Sequence, residues 1–216
     1  MDEMLTQIFL FLHIAGGSLS LLTGGINLVR HKGGAAHVKT GLVFYYSMLA
    51  TGVSAIILSI LNPNSFLTII GVFTLYMVMT GRRYMQLKNA LIQNPGTIGW
   101  FLTGGMIIAG LIFLVLGTRA IISGNMFGIV YIVFGGIGLL FAKADMTFYR
   151  GLSRYKLFWK MAHLQRMTGS YIAACTAFLV VNLDKVNLPI PSVLAWLLPT
   201  MVLTPLIVKW SREIRE

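Results

Sequence analysis

Charge is what this sequence has least of. Only 11% of its 216 residues are Asp, Glu, Lys or Arg, against about 25% in soluble domains. So few charges cannot clothe a water-facing surface. Acids are the scarcer sign: Asp2, Glu3, Asp145, Asp184, Glu213 and Glu216 are the whole set. None falls in the middle of an apolar run, which excludes paired catalytic carboxylates and carboxylate relays at mid-membrane depth. Cysteine occurs once, as Cys175, so an intramolecular disulfide and a Cys-based zinc pattern are both excluded. The four histidines form neither HExxH nor HxxxH. The ligand pairs of zinc proteases and of ceramidase-like seven-span hydrolases are therefore missing.

Apolar residues are abundant, at 56%, with 23 glycines besides. They fall into seven runs, at 5–29, 37–61, 65–84, 97–118, 126–144, 164–183 and 190–208. The first is long enough for about 37 Å of helix, more than a bilayer core requires. It follows Met1, Asp2 and Glu3 rather than a basic segment, so it reads as a retained span and not a cleaved signal. Turn-formers separate the runs: Gly33-Gly34, Asn62-Pro63-Asn64, Asn94-Pro95-Gly96, Gly124-Asn125 and Pro189-Ile190-Pro191. No run shows the dyad alternation of a membrane barrel. The expected fold is an all-α integral membrane protein, one domain over 1–216 with seven transmembrane helices.

The basic residues set its orientation. Fifteen of the 17 Lys and Arg fall in the first, third and fifth gaps and the C-terminal tail, leaving Arg119 and Lys185 on the other side. This alternation predicts an outside N-terminus and a cytoplasmic C-terminus. Trp100, Trp159 and Trp210 fall at the inner edge, as interfacial anchors do. The net charge of +11 is thus spent on topology and anionic lipid headgroups, not on nucleic acid. The fifth gap, 145–161, mixes aromatic and basic residues. It reads as an amphipathic cytoplasmic segment, either a connector or a docking element for a partner protein.

Two stretches correspond. His37-Val38-Lys39-Thr40-Gly41 opens the second run, and His163-Leu164-Gln165-Arg166-Met167-Thr168-Gly169 opens the sixth. Prolines follow at similar distances. The pattern suggests a parallel 3+1+3 repeat, with halves 5–93 and 126–216 and a linker helix at 97–119.

Three constellations could carry chemistry. His13, Gly17, Ser20, Gly24 and Asn27 are spaced 4, 3, 4 and 3, one small polar helix face that serves either as a close seam or as a ligand-lining stripe. His37 and His163 share the inner membrane edge on different helices. Neutral imidazoles so placed suit a transition metal or haem iron, with Asp145 and His31 at similar depth to complete a shell. His13 lies roughly 20–30 Å away along the membrane normal and cannot join them. Finally, Lys39, Arg82, Arg83 and Arg166, with the two histidines, could form an inward-facing pocket for an anionic lipid or metabolite headgroup. Pro199 and Pro205 would kink the last span, as in the broken helices that line transporter sites.

His13, Gly17, Gly24, Lys32-Gly33-Gly34, His37, Gly41 and Met48, followed by His163-Leu164-Gln165-Arg166-Met167, resemble an uncharacterised bacterial multi-span membrane family. Lys39-Thr40 departs from that family's arginine after the histidine. The resemblance implies a multi-pass protein of the bacterial inner membrane and no particular activity. Three function classes remain open: an accessory or scaffold subunit, a haem- or metal-binding redox protein, and a small-solute transporter or anion-binding permease.

Overall fold

The computed structural model describes residues 2–89, 95–153, 155–186 and 191–215. Among them the chain forms seven helices: α1 Asp2–Val29, α2 Ala35–Leu61, α3 Ser65–Gln86, α4 Gly96–Ile122, α5 Gly128–Tyr149, α6 Phe158–Val186 and α7 Ser192–Arg215. A short 3-10 turn, Leu87–Asn89, follows α3, and no strand occurs among the described residues. The turn residues act locally. Asn64 caps α3 by accepting from the Leu67 amide at 3.0 Å. Gly33 and Gly124 take positive φ between α1 and α2 and between α4 and α5, a conformation other residues resist.

Five helices, α1, α2, α4, α5 and α7, are long and apolar enough to cross a membrane. The other two, α3 and α6, are the central ones. They pack against each other, α3 also against α2 and α4, and α6 also against α1 and α7. Buried polar side chains of these two helices, Thr80 on α3 and Arg166 and Ser170 on α6 among them, are thereby kept away from lipid. We call the end carrying residues 30–34 and 150–153 the basic end.

Around the α3–α6 spine lie two compartments. On one side α1, α2, α3 and α6 close a four-helix ring, each packed on the next. Its core holds Phe44, Met48 and Val78, with Met167 and Tyr171 of α6 against them. On the other side α4 and α5 enclose Phe73, Tyr76, Met106, Phe113, Val130 and Phe134.

The α4–α5 contact is made by glycines. Gly110 faces Gly135 and Gly117 faces Gly128 in one antiparallel register. A Cβ on Gly117 would stand 2.8 Å from the Gly128 carbonyl oxygen, and one on Gly135 2.9 Å from that of Gly110. Backbone cannot yield as a flexible side chain can. Gly117→Ala should therefore destabilise the protein by about 1–3 kcal/mol, the usual range for overpacking, although Ala is the better helix former by ~1 kcal/mol. Thermal unfolding in detergent checks this, with Gly104→Ala, which meets nothing within 4 Å, as the comparison.

One expectation changes. Helix α5 runs on to Tyr149 and α6 starts at Phe158, so the fifth connector is 150–157 and not 145–161. Asp145, Phe148, Phe158 and Met161 are buried, while Leu152, Tyr155 and Leu157 in the shorter stretch are exposed. The 97–119 segment lies within α4, which packs along α5.

Candidate functional site

At the basic end, all four helices of the ring bring polar groups together. His37 lies in the first turn of α2 and His163 in the second turn of α6. Since α2 and α6 each pack on α1 and α3, the two histidines sit on opposite corners of the ring. His163 Nδ1 is 2.8 Å from the Gly81 carbonyl of α3. A carbonyl only accepts, so Nδ1 carries the proton and Nε2 keeps its lone pair. This is the backbone hydrogen bond that orients metal-binding imidazoles. His37 and Arg82 both lie within electrostatic reach of His163.

His37 supplies the complementary feature. Its Nδ1 is buried without a hydrogen-bond partner, as is Oδ1 of Asn27. The Asn27 amide Nδ2 donates to the His37 backbone carbonyl at 3.5 Å, which ties the Asn27 side chain to the first turn of α2. Buried polar atoms are normally satisfied, so these two unpartnered atoms, on residues joined by that bond, are the candidate ligand contacts. Just deeper, Phe44, Met48 and Val78 fill the ring.

The α1 stripe faces the same neighbours farther along. His13 Nδ1 lies 3.0 Å from the Thr51 carbonyl and 3.3 Å from Ser54 Oγ, both on α2. Gly17 faces Thr51, and Ser20 is buried and donates to the Gly17 carbonyl. A Cβ on Gly24 would meet the rings of Tyr171 and Phe44. The five residues thus line the seam of α1 with α2 and α6, and Asn27 alone reaches the histidine site.

Asp145 and Arg166 lie in the other compartment, and here the sequence reading is corrected. Asp145 was expected in a metal shell and Arg166 in an anion pocket with Lys39, Arg82 and Arg83. Instead they are ion-paired to each other, both fully buried. Tyr76 and Tyr84 of α3 donate to the two Asp145 oxygens, the latter at 2.5 Å, and Thr103 of α4 is at 3.4 Å. Arg166 also donates to the Phe141 carbonyl at 3.1 Å and lies 4.2 Å over the Phe141 ring. Asp145 therefore has no oxygen to spare for a metal. Arg166 keeps Nε and Nη1 buried without partners. Above the pair, Tyr84, Phe148 and Phe158 form an aromatic cap with ring centroids 5.0–5.7 Å apart.

The remaining basic candidates do not converge on it. Lys39 is exposed on α2, and His31 is exposed in the α1–α2 connector. Arg83 is half-buried and donates to the Pro95 carbonyl before α4. Among the described residues, no three His, Cys, Asp or Glu side chains cluster as a metal site. A His37–His163 centre would need Asn27 or solvent to complete its shell.

Sequence reasoning passed over Tyr76, Tyr84 and Thr103. Tyr76 and Tyr84 are spaced 8 apart, on one helix face, but an aromatic stripe in a span has no special signature until its carboxylate partner is located. Comparison with protein families, with curated proteins and with solved structures gives no match.

Proposed function

We propose that the chain is a seven-span protein of the bacterial inner membrane, N-terminus outside and C-terminus in the cytoplasm, that binds a transition-metal ion at its cytoplasmic end through His37 and His163. The observation that supports this reading is the pair of imidazoles on opposite corners of the α1–α2–α3–α6 ring, one oriented by the Gly81 carbonyl and one half-buried with its Nδ1 atom buried and unpartnered. Two imidazole nitrogens and the Asn27 amide oxygen would supply an N,N,O donor set. Imidazole suits zinc, copper, iron and nickel alike. An ion fits better than haem, because Phe44, Met48 and Val78 occupy the ring where a porphyrin would lie. With iron or copper the centre would serve a small redox subunit, accessory to a larger membrane assembly.

Metal analysis and an absorbance spectrum of the purified full-length protein test this. About one bound ion per chain is expected, lost to chelators. A Soret band would replace the ion with haem, and a colourless, metal-free protein would refute the reading. In that case the accessory or scaffold reading takes precedence. The orientation has its own check. A fluorescent protein fused after Glu216 should glow, and alkaline phosphatase at the same place should be inactive.

A further inference from the structure

Helix α7 is the outermost part of the bundle on the α6 side, and its two faces differ. Ser211 is buried and accepts from Gln165 Nε2 of α6 at 3.1 Å, which fixes the rotation of the helix. Lys32 of the α1–α2 connector lies 4.6 Å over the Trp210 ring and ties the same end to α1. With the rotation so fixed, Met201, Pro205, Val208 and Arg212 form a stripe spaced 4, 3 and 4 along one exposed face.

That face carries a shallow groove of about 800 Å³, lined by Met201, Pro205, Val208, Lys209, Arg212 and Glu213 with two threonines. At its centre Pro205 has no N–H to pair with the Met201 carbonyl. Along the groove the lining is mostly apolar from 201 to 208, with Thr204 among Met201, Pro205 and Val208, and charged from 209 to 213. From Met201 to Glu213 the helix rises about 18 Å. Half of a ~30 Å hydrocarbon core is about 15 Å, so the groove is one leaflet long, with its charges at headgroup depth. Lys209, Arg212 and Glu213 form no ion pair among the described residues.

We infer that this groove binds one phospholipid whose head carries both a phosphate and a primary ammonium. The acyl chain lies along Met201, Pro205 and Val208. Lys209 and Arg212 take the phosphate, and Glu213 takes the ammonium. Two cations and one carboxylate, unpaired among the described residues, complement such a head. A choline head offers Glu213 no N–H donor, and a glycerol head offers it no cation.

The full-length protein is reconstituted into nanodiscs of phosphatidylcholine containing equal minor fractions of phosphatidylethanolamine and phosphatidylglycerol. It is then released into detergent, and the retained lipids are counted by native mass spectrometry. One ethanolamine lipid per chain should be retained, enriched over glycerol lipid by up to about fivefold, the most that a single exposed ion pair supplies. Glu213→Gln should abolish that preference and leave the total unchanged. Lys209→Gln/Arg212→Gln should lose the retained phospholipid of every head type, while Lys143→Gln on α5 should behave as wild type. Lipids retained in bulk proportion, a wild-type preference for glycerol lipid, or an unchanged ratio in Glu213→Gln would each overturn the inference. Metal content does not enter this readout, so its failure and that of the histidine site are separable.

Discussion

Asp145→Ala should cost about 3–5 kcal/mol of stability, the range for breaking a buried ion pair from one side. The substitution leaves the Arg166 guanidinium fully buried and uncompensated, with Nε and Nη1 already lacking partners. It also orphans the Tyr76 and Tyr84 hydroxyls, which donate to Asp145 from α3. Because the lost acceptor joins α3, α4, α5 and α6, the loss should appear as global unfolding at lower temperature rather than fraying of one helix. The double variant Asp145→Ala/Arg166→Met decides what the pair does. It removes the stranded charge, so it should be markedly more stable than Asp145→Ala alone. It should not reach wild type, because each orphaned buried hydroxyl still costs about 1–3 kcal/mol. Unfolding of the four proteins of this cycle in detergent gives the coupling, and additive losses would mean that the pair is not formed.

His37→Ala and His163→Ala should each bring the metal content of the purified protein from about one ion per chain to near zero. A centre with two imidazoles and one amide oxygen loses half of its nitrogen donors with either change, and the remaining imidazole has no other His, Cys, Asp or Glu cluster to recruit among the described residues. His13→Ala should leave the metal in place. It removes a hydrogen bond to the Thr51 carbonyl, at the α1–α2 seam, far along the helix from the basic end. Asn27→Ala should fall between, with roughly 10–100-fold weaker binding if the amide orients or completes the shell. Thermal unfolding of the apo proteins separates ligand loss from misfolding. His37→Ala removes an imidazole whose Nδ1 has no partner, so its apo stability should stay within about 1 kcal/mol of wild type. Full metal occupancy in the His37→Ala/His163→Ala protein would end the proposal.

Much of the architecture is legible in the order of residues alone. The runs of apolar residues are long enough to be helices, and in lipid a backbone segment has no other way to satisfy its own polar groups. The turn-formers mark where the runs end because Pro and Gly act on local dihedrals, which do not depend on what packs nearby. The seven helices therefore coincide with the seven runs, and five of them are apolar enough to cross a membrane on composition. The boundaries went astray where charge was taken as an end of helix. Asp145 looked like the first residue of a loop, but α5 carries it one turn inside, since α3 and α6 supply its partners. A charge in a one-dimensional sequence has no visible partner, and 21 residues separate Asp145 from Arg166.

Partnership is what the tertiary structure decided. Whether Asp145 meets a metal or an arginine depends on which helices lie side by side, and hydropathy is silent on that, because every apolar face is equally content against lipid or against another helix. The choice is made by close shape: the glycine contacts that seat α4 on α5, and the burial of α3 and α6 at the centre. That arrangement gave Asp145 to Arg166, Tyr76 and Tyr84, and it left His37 and His163 across one ring from each other. Helix and span are local properties of composition, and so the sequence by itself determined them. The meeting of side chains from α2 and α6, or from α3 and α5, follows from packing between distant segments, and only the folded bundle determines that.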